Sequence, residues 1–458
     1  MEPLGLSDSA RQCPHGGAIQ NGNRGIVPLV FLLFFLLLAF SPVRGVSQRI
    51  LTLRECYEKA EASAPLASEN QAHTGIWQLR DANLSKGWLP SLGAGGQLVY
   101  NSSVVDLTEV MGALPVPGIG QLIKPLPHEQ YKVTLEVSQM IYDGGAVKGS
   151  RAVERAGLQV QKKQTEADLY QLRSQVNGYY FNLLLLDRQK ELLGNFLVLI
   201  EKRLASLESA RENGMALLSD IDVLTSEKIR LQQQLTENRI RRASFLKLLS
   251  DITGTPVDDS AVLELPTVGE SLPGELARPE LDLFDLKREQ LDASLLLLQS
   301  RLKPVAFGFA TLGYGNPPGN NFFKDEFAPY YLIGAGLKWT LWDWARTRNE
   351  KQVVALQKTV LEGRRQELAD HIRRALDAKK AEIASLGALL ETDSSLIALR
   401  RRITATAESQ YANGVVTATD YLQELHAEQQ ALINHEIHRI SLLLARVEYL
   451  HITGGALP

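Results

Sequence analysis

ENGMALLSD, residues Glu212 to Asp220, returns later in the chain as ANGVVTATD, residues Ala412 to Asp420. The glycines stand 200 residues apart, the aspartates likewise, and Ile252-Thr253-Gly254 precedes Ile452-Thr453-Gly454 by the same 200. A turn repeated in fixed register, with the close of the following segment repeated too, marks a duplicated chain. The same offset pairs Tyr142-Asp143 with Trp342-Asp343. Upstream, Pro65 and Pro90 match Pro279 and Pro304 at an offset of 214, so the first copy holds 14 extra residues between Pro90 and Asp143.

Each copy reads as helix, two strands, very long helix, turn, helix. Val147 to Asn213 has no strong breaker over 67 residues, roughly 100 Å as a single helix. Val153, Ala156, Val160, Ala167, Tyr170, Val176, Tyr180 and Leu183 recur at the spacing of a coiled-coil seam, as do Leu422, Leu425, Leu432, Leu443, Val447 and Leu450 on the second return helix. The two repeated turns then become the far tips of two antiparallel hairpins. Gly214 and Gly414 suit the left-handed close of a helix, while Ser219 and Thr419 are expected to cap the next one, with Asp220 and Asp420 favoured by its dipole.

Pro65 to Lys86 is expected to be helical. Tyr131 to Ile141 alternates strictly, with Tyr131, Val133, Leu135 and Val137 on one face and Lys132, Thr134, Glu136 and Ser138 on the other. Its partner is a glycine-rich strand over Leu89 to Val104. The second copy repeats the pair with Val305 to Tyr314 and Tyr331 to Leu341. There Tyr331, Ile333, Ala335, Leu337, Trp339 and Leu341 share a face, opposite Gly334, Gly336, Lys338 and Thr340. Small and polar residues on one side point to a lumen. Trp88, Trp339, Trp342 and Trp344 fall at or near strand ends, where a membrane interface collects aromatic rings. Met111 to Gln130 and Asn316 to Pro329 are Pro/Gly-rich loops, and the first absorbs the 14-residue insertion.

A formal net charge of -3 over 458 residues gives no electrostatic case for a nucleic-acid partner. Ile26 to Phe40 is an apolar run of signal-peptide length, so residues 1–45 are expected to be an export signal cleaved near Val46. Cys56 is then the only cysteine left, which excludes an internal disulfide. The mature chain divides into a first repeat at 46–254, a linker at 255–278, a second repeat at 279–454 and a tail at 455–458. Four strands cannot close a barrel and would leave unpaired edges in lipid, whereas twelve strands from three copies would close.

From Leu51-Thr52-Leu53-Arg54-Glu55-Cys56, through both G-x5-D tips, to Tyr449-Leu450-His451-Ile452-Thr453-Gly454, the mature chain resembles the TolC-type outer-membrane efflux proteins. The resemblance implies a mainly α homotrimer. Its twelve-stranded β-barrel would sit in outer-membrane lipid and continue as a long helical barrel in the periplasm. It further implies an exit duct, without catalytic activity or cofactor, that serves an inner-membrane transporter through a periplasmic adaptor.

In that family the periplasmic mouth is closed by carboxylate rings and a tyrosine network, which the resemblance carries onto Asp420 and Tyr411. The second ring position is Gln423 here and the network arginine is Val416, so the same closure cannot form. Asp420 is the expected constriction residue, with Asp220 as its first-copy counterpart and Asp222 a further acidic candidate. Both of these could equally be capping or adaptor-facing residues. Adaptor docking is expected at Gly214, Met215 and Leu217 and at Gly414, Val415 and Thr417.

Against an enzyme, His435-Glu436-Ile437-His438 has the wrong spacing for a zinc protease; His426 and His438 are expected on a polar helix face, and no metal is expected. The alternative function is a soluble exported coiled-coil adaptor or scaffold.

Overall fold

The computed structural model describes residues 50–106, 126–269, 274–321 and 324–455. The expected signal segment, its cleavage point near Val46 and most of the loop assigned the 14-residue insertion lie outside the described residues.

The element order is β1 (Ile50–Leu51), α1 (Leu53–Ser63), α2 (Glu69–Ser85), β2 (Ser91–Tyr100), β3 (Glu129–Tyr142), α3 (Ala146–Glu212) and α4 (Leu218–Thr253). It continues with β4 (Val262–Leu263), α5 (Pro279–Ser300), β5 (Val305–Asn316), β6 (Ala328–Lys338), α6 (Arg346–Ala412) and α7 (Ala418–Thr453). Helices α3 and α6 are both 67 residues long and α4 and α7 both 36, each pair offset by 200. The seam residues Val160, Ala167, Tyr170, Val176, Tyr180 and Leu183 are buried, as are Leu422, Leu425, Val447 and Leu450. Next to the sheet the helices pack in the order α2, α3, α5, α6; toward the tips the order is α4, α3, α7, α6.

Three features were not read from the sequence. Leu53–Ser63 forms a separate helix, N-capped by Thr52 Oγ1 accepting from the Glu55 N–H at 3.2 Å. The segment expected as one helix from Pro65 starts as a 3-10 turn at Pro65–Ser68 and is α-helical only from Glu69. The linker is also partly ordered, because Val262–Leu263 pairs in parallel with Ile50–Leu51, ahead of α1. The buried Tyr180 hydroxyl lies 2.7 Å from the carbonyls of both Leu51 and Glu264, fixing this strand pair to α3.

The four long strands form an antiparallel sheet in the order β2-β3-β5-β6. Paired residues in an antiparallel ladder share a face, so the register sorts the side chains. One face carries the rows Leu92–Val137–Ala310–Ile333, Ala94–Leu135–Leu312–Tyr331 and Gly96–Val133–Tyr314–Pro329. These twelve positions hold no charge, and their large side chains are exposed except for the half-buried Val137. The other face carries Ser91–Ser138–Phe309–Gly334, Gly93–Glu136–Thr311–Leu332 and Gly95–Thr134–Gly313–Tyr330. It is polar and small on β2 and β3, as expected, but aromatic in part on β5 and β6.

The strand expected to reach Leu341 ends at Lys338. Trp339 leaves the ladder, and its indole N–H donates to the Leu302 carbonyl at 3.0 Å. Trp88, Trp339, Trp342 and Trp344 therefore all sit beyond the strands at the helical end of the sheet. There Asp143 accepts from the N–H groups of Gly145 (2.8 Å) and Val147 (2.6 Å), and Asp343 accepts from that of Thr347 (2.9 Å), satisfying orphan donors at the starts of α3 and α6. Both turns use two left-handed residues. In the first copy these are Gly144 and Gly145; in the second, Trp344 and Ala345 hold φ +55° and +60°, which is strained for residues with a Cβ.

Candidate functional site

The two hairpin tips are built alike. Gly214 and Gly414 take φ +68° and +72°, and a Cβ on either would meet only open space. The Met215 N–H donates to the Ala210 carbonyl and the Val415 N–H to that of Gln410, both at 2.9 Å, closing the last helical turn in the same way twice. Asn213 and Asn413 each donate a side-chain amide N–H back to the residue four earlier, Ser209 and Ser409.

The expected caps are not Ser219 and Thr419, which lie one position inside their helices. In the second hairpin Thr417 is the N-cap: its Oγ1 accepts from the Asp420 N–H at 3.2 Å. The Asp420 carboxylate accepts in return from the Thr417 N–H at 3.0 Å and the Thr417 hydroxyl at 2.7 Å. These bonds hold the exposed Asp420 carboxyl below its ordinary pKa. The first hairpin starts on Leu217 without a side-chain cap.

The fold divides the candidate residues into two groups. Asp420, Gln423 and Val416 line one open groove of about 620 Å³ between α6 and α7, beside Arg402, Gln410 and Glu424. Tyr411 turns the other way. Its ring stacks on Tyr421 at 5.6 Å with the planes only 3° apart, against the core formed by Ile200, Leu204, Ile221 and Leu224 of the first hairpin. Burial raises the Tyr411 phenol above its ordinary pKa, and the Asp220 carboxylate adds to the effect. Asp220 thus faces the second hairpin across the protomer, while Asp222 is exposed on α4. Met215, Leu217 and Val415 are among the most exposed apolar side chains of the chain, at 76%, 68% and 69%.

A second polar contact joins the hairpins one to two turns further in. Glu227 of α4 is buried. It lies 2.9 Å from His426 Nε2 of α7 and accepts from Arg230 Nε at 2.7 Å, while Arg230 also reaches Gln429 of α7 at 3.4 Å. Burial alone would raise the Glu227 carboxyl, but the contacts to His426 and Arg230 outweigh it and lower the pKa. His438 Nδ1 lies 2.7 Å from the buried Asp393 of α6, with His435 3.8 Å from the same oxygen. His426 and His438 therefore each lie beside a buried carboxylate of a neighbouring helix while remaining partly exposed, as a polar helix face allows. The available signal was divergence between the copies: the 200-residue register sets Glu227 against Ala427 and His426 against Ser226.

Three solved structures share this architecture. VceC, an outer membrane protein of Vibrio cholerae, is 15% identical over 89% of this chain and 97% of its own, with a TM-score of 0.63. The chain has the TolC-type outer-membrane efflux channel fold. The CmeC outer membrane channel of Campylobacter jejuni is 14% identical over 88% of this chain and 86% of its own, at 0.61. The open state of the MtrE outer membrane channel of Neisseria gonorrhoeae is 14% identical over 88% and 89%, at 0.62. No family model and no curated protein sequence matches the chain. In a TolC-type fold the tips described above are the ends of the helices farthest from the sheet.

Proposed function

We propose that three copies of the chain form the outer-membrane exit duct of a tripartite efflux or type I secretion system. It would receive substrates from an inner-membrane pump and a periplasmic adaptor. The sheet carries this reading: one face is uncharged and exposed across all four strands, and β2 and β6 are left with open edges. Lipid demands both an apolar exterior and a closed ladder. Among the described residues no helix is long and apolar enough to cross a membrane.

The helices favour the same closure. On the β6 side, α6 exposes Val353, Leu356, Val360, Leu389, Leu396, Leu399 and Ile403; on the β2 side, α2 exposes Ile76 and Leu79 and α4 exposes Ile229 and Ile240. Two unlike apolar edges on one chain suit a heterologous contact, which closes into a ring where the rotation between copies closes. Asp420 and Gln423 would then line the periplasmic mouth, and the apolar tips would receive the adaptor.

Single-channel recording from the full chain in a planar bilayer tests the duct. Wild type is expected to show a small, cation-preferring conductance. Asp420→Asn keeps one acceptor oxygen for Thr417 but removes the charges, so cation preference should fall by a few-fold. A folded, water-soluble protein that forms no channel would instead favour the scaffold. For docking, Gly414→Trp should abolish transport while the channel still assembles, because the tip has open space for the ring and pays only about 1–2 kcal/mol for its left-handed backbone. Unchanged transport would remove the tips from the docking surface.

A further inference from the structure

The polar face of the sheet is not uniformly small. Phe307 and Phe309 point onto it from β5, cross-strand from Gly336 and Gly334 of β6. A Cβ added at Gly334 would stand 2.5 Å from Phe309 Cζ, and one at Gly336 2.5 Å from Phe307 Cζ. The tip of each ring therefore rests over a glycine, lying along the wall rather than projecting from it. The rings support each other at 6.2 Å between centroids, and Tyr330 rests on Gly313 in the same manner. The first copy lacks this device: the matching positions of β2 are Gly93 and Gly95, opposite Glu136 and Thr134.

We propose that Phe307 and Phe309 set the bore of the passage through the sheet, and that Gly336 and Gly334 keep it open by seating the two rings against the wall. The inference rests on the duct function, which makes this face the lumen. A methyl group at either glycine occupies the space of a ring tip. The strand backbone lies behind it, so the ring can yield only inward, and three copies would narrow one level of the passage together.

Graded thiol reagents added outside intact cells that carry the full-length protein test this. A cysteine at Lys338, exposed on the helical side of the rings, reports passage through the bore; one at Thr311, on the outer side, reports entry alone. The native Cys56 is fully buried and stays silent.

With Gly334→Ala and Gly336→Ala together, labelling of Lys338→Cys by the largest admitted reagent should slow about tenfold, since passage falls steeply as a solute approaches the pore radius. The smallest reagent and Thr311→Cys should be unaffected. Adding Phe307→Ala and Phe309→Ala should restore the rate. An unchanged rate in the glycine variant, or failed restoration, overturns the proposal. Should the glycine variant not assemble, the phenylalanine variants alone must admit larger reagents than wild type, and an unchanged size limit overturns it equally. If neither cysteine is labelled from outside in the wild-type background, the duct itself is refuted.

Discussion

Ile333→Arg should remove the protein from the outer membrane, whereas Leu332→Arg, one residue away, should leave it there. Ile333 lies at the centre of the uncharged face and is 75% exposed; an arginine in hydrocarbon costs about 2–4 kcal/mol near the bilayer midplane, and the proposed ring of three chains would incur it three times. Leu332 pairs with Thr311 on the polar face, in the row that holds Glu136, where a guanidinium keeps its water. Membrane fractionation with a gel assay for the assembled oligomer reads the difference. Equal behaviour of the two variants would refute the assignment of faces, because a side chain's face is the only large distinction between them.

Glu227→Gln should loosen the two hairpins from each other. The amide keeps the shape of the side chain but leaves Arg230 and His426 facing a neutral group. Both partners are about 41% exposed while Glu227 itself is only 6% exposed, so the loss is discounted for solvent to about 1–3 kcal/mol. The sign with pH follows from a carboxyl whose pKa is lower in the fold than in the unfolded chain. Its contribution is complete above the ordinary glutamate value near 4.5 and is lost as pH falls and the carboxylate takes up its proton. Thermal unfolding of the extracted protein should therefore show a wild-type advantage at neutral pH that shrinks below about pH 4.5. A constant gap across that range would mean that the pair contributes shape and not charge.

The duplication made most of this fold legible. A register of 200 residues located both tips, and breaker-free runs with seam spacing gave the long helices. Strict alternation in Tyr131 to Ile141 grouped the side chains of β3 as the ladder does, because successive residues of a strand point to opposite faces. Where the sequence misled, tertiary contacts had overridden local pattern. Trp339 continues the alternation of β6, but its indole is held by the Leu302 carbonyl. Thr417 outcompetes Thr419 as cap because Asp420 falls three residues after it, where a capping box closes. The Glu227 and His426 contact joins residues 199 apart, and no periodicity encodes such a pair. Tyr411 and Asp420 are adjacent in the sequence logic of a tip, yet the turn sends them to opposite sides of the hairpin.

The matched helix lengths, 67 and 36 residues in both copies, carry a consequence for how this chain can change over generations. Each residue adds about 1.5 Å along a helix, so a seven-residue deletion confined to one hairpin would set its tip about 10 Å short of the other. The ends would no longer lie in one plane. Substitutions can accumulate independently in the two halves, as the divergence at Glu227 and His426 shows, but gains and losses of length cannot. Insertions and deletions in the long helices should survive only as matched events in both copies, whereas the 14-residue difference falls between Pro90 and Asp143, before either long helix begins.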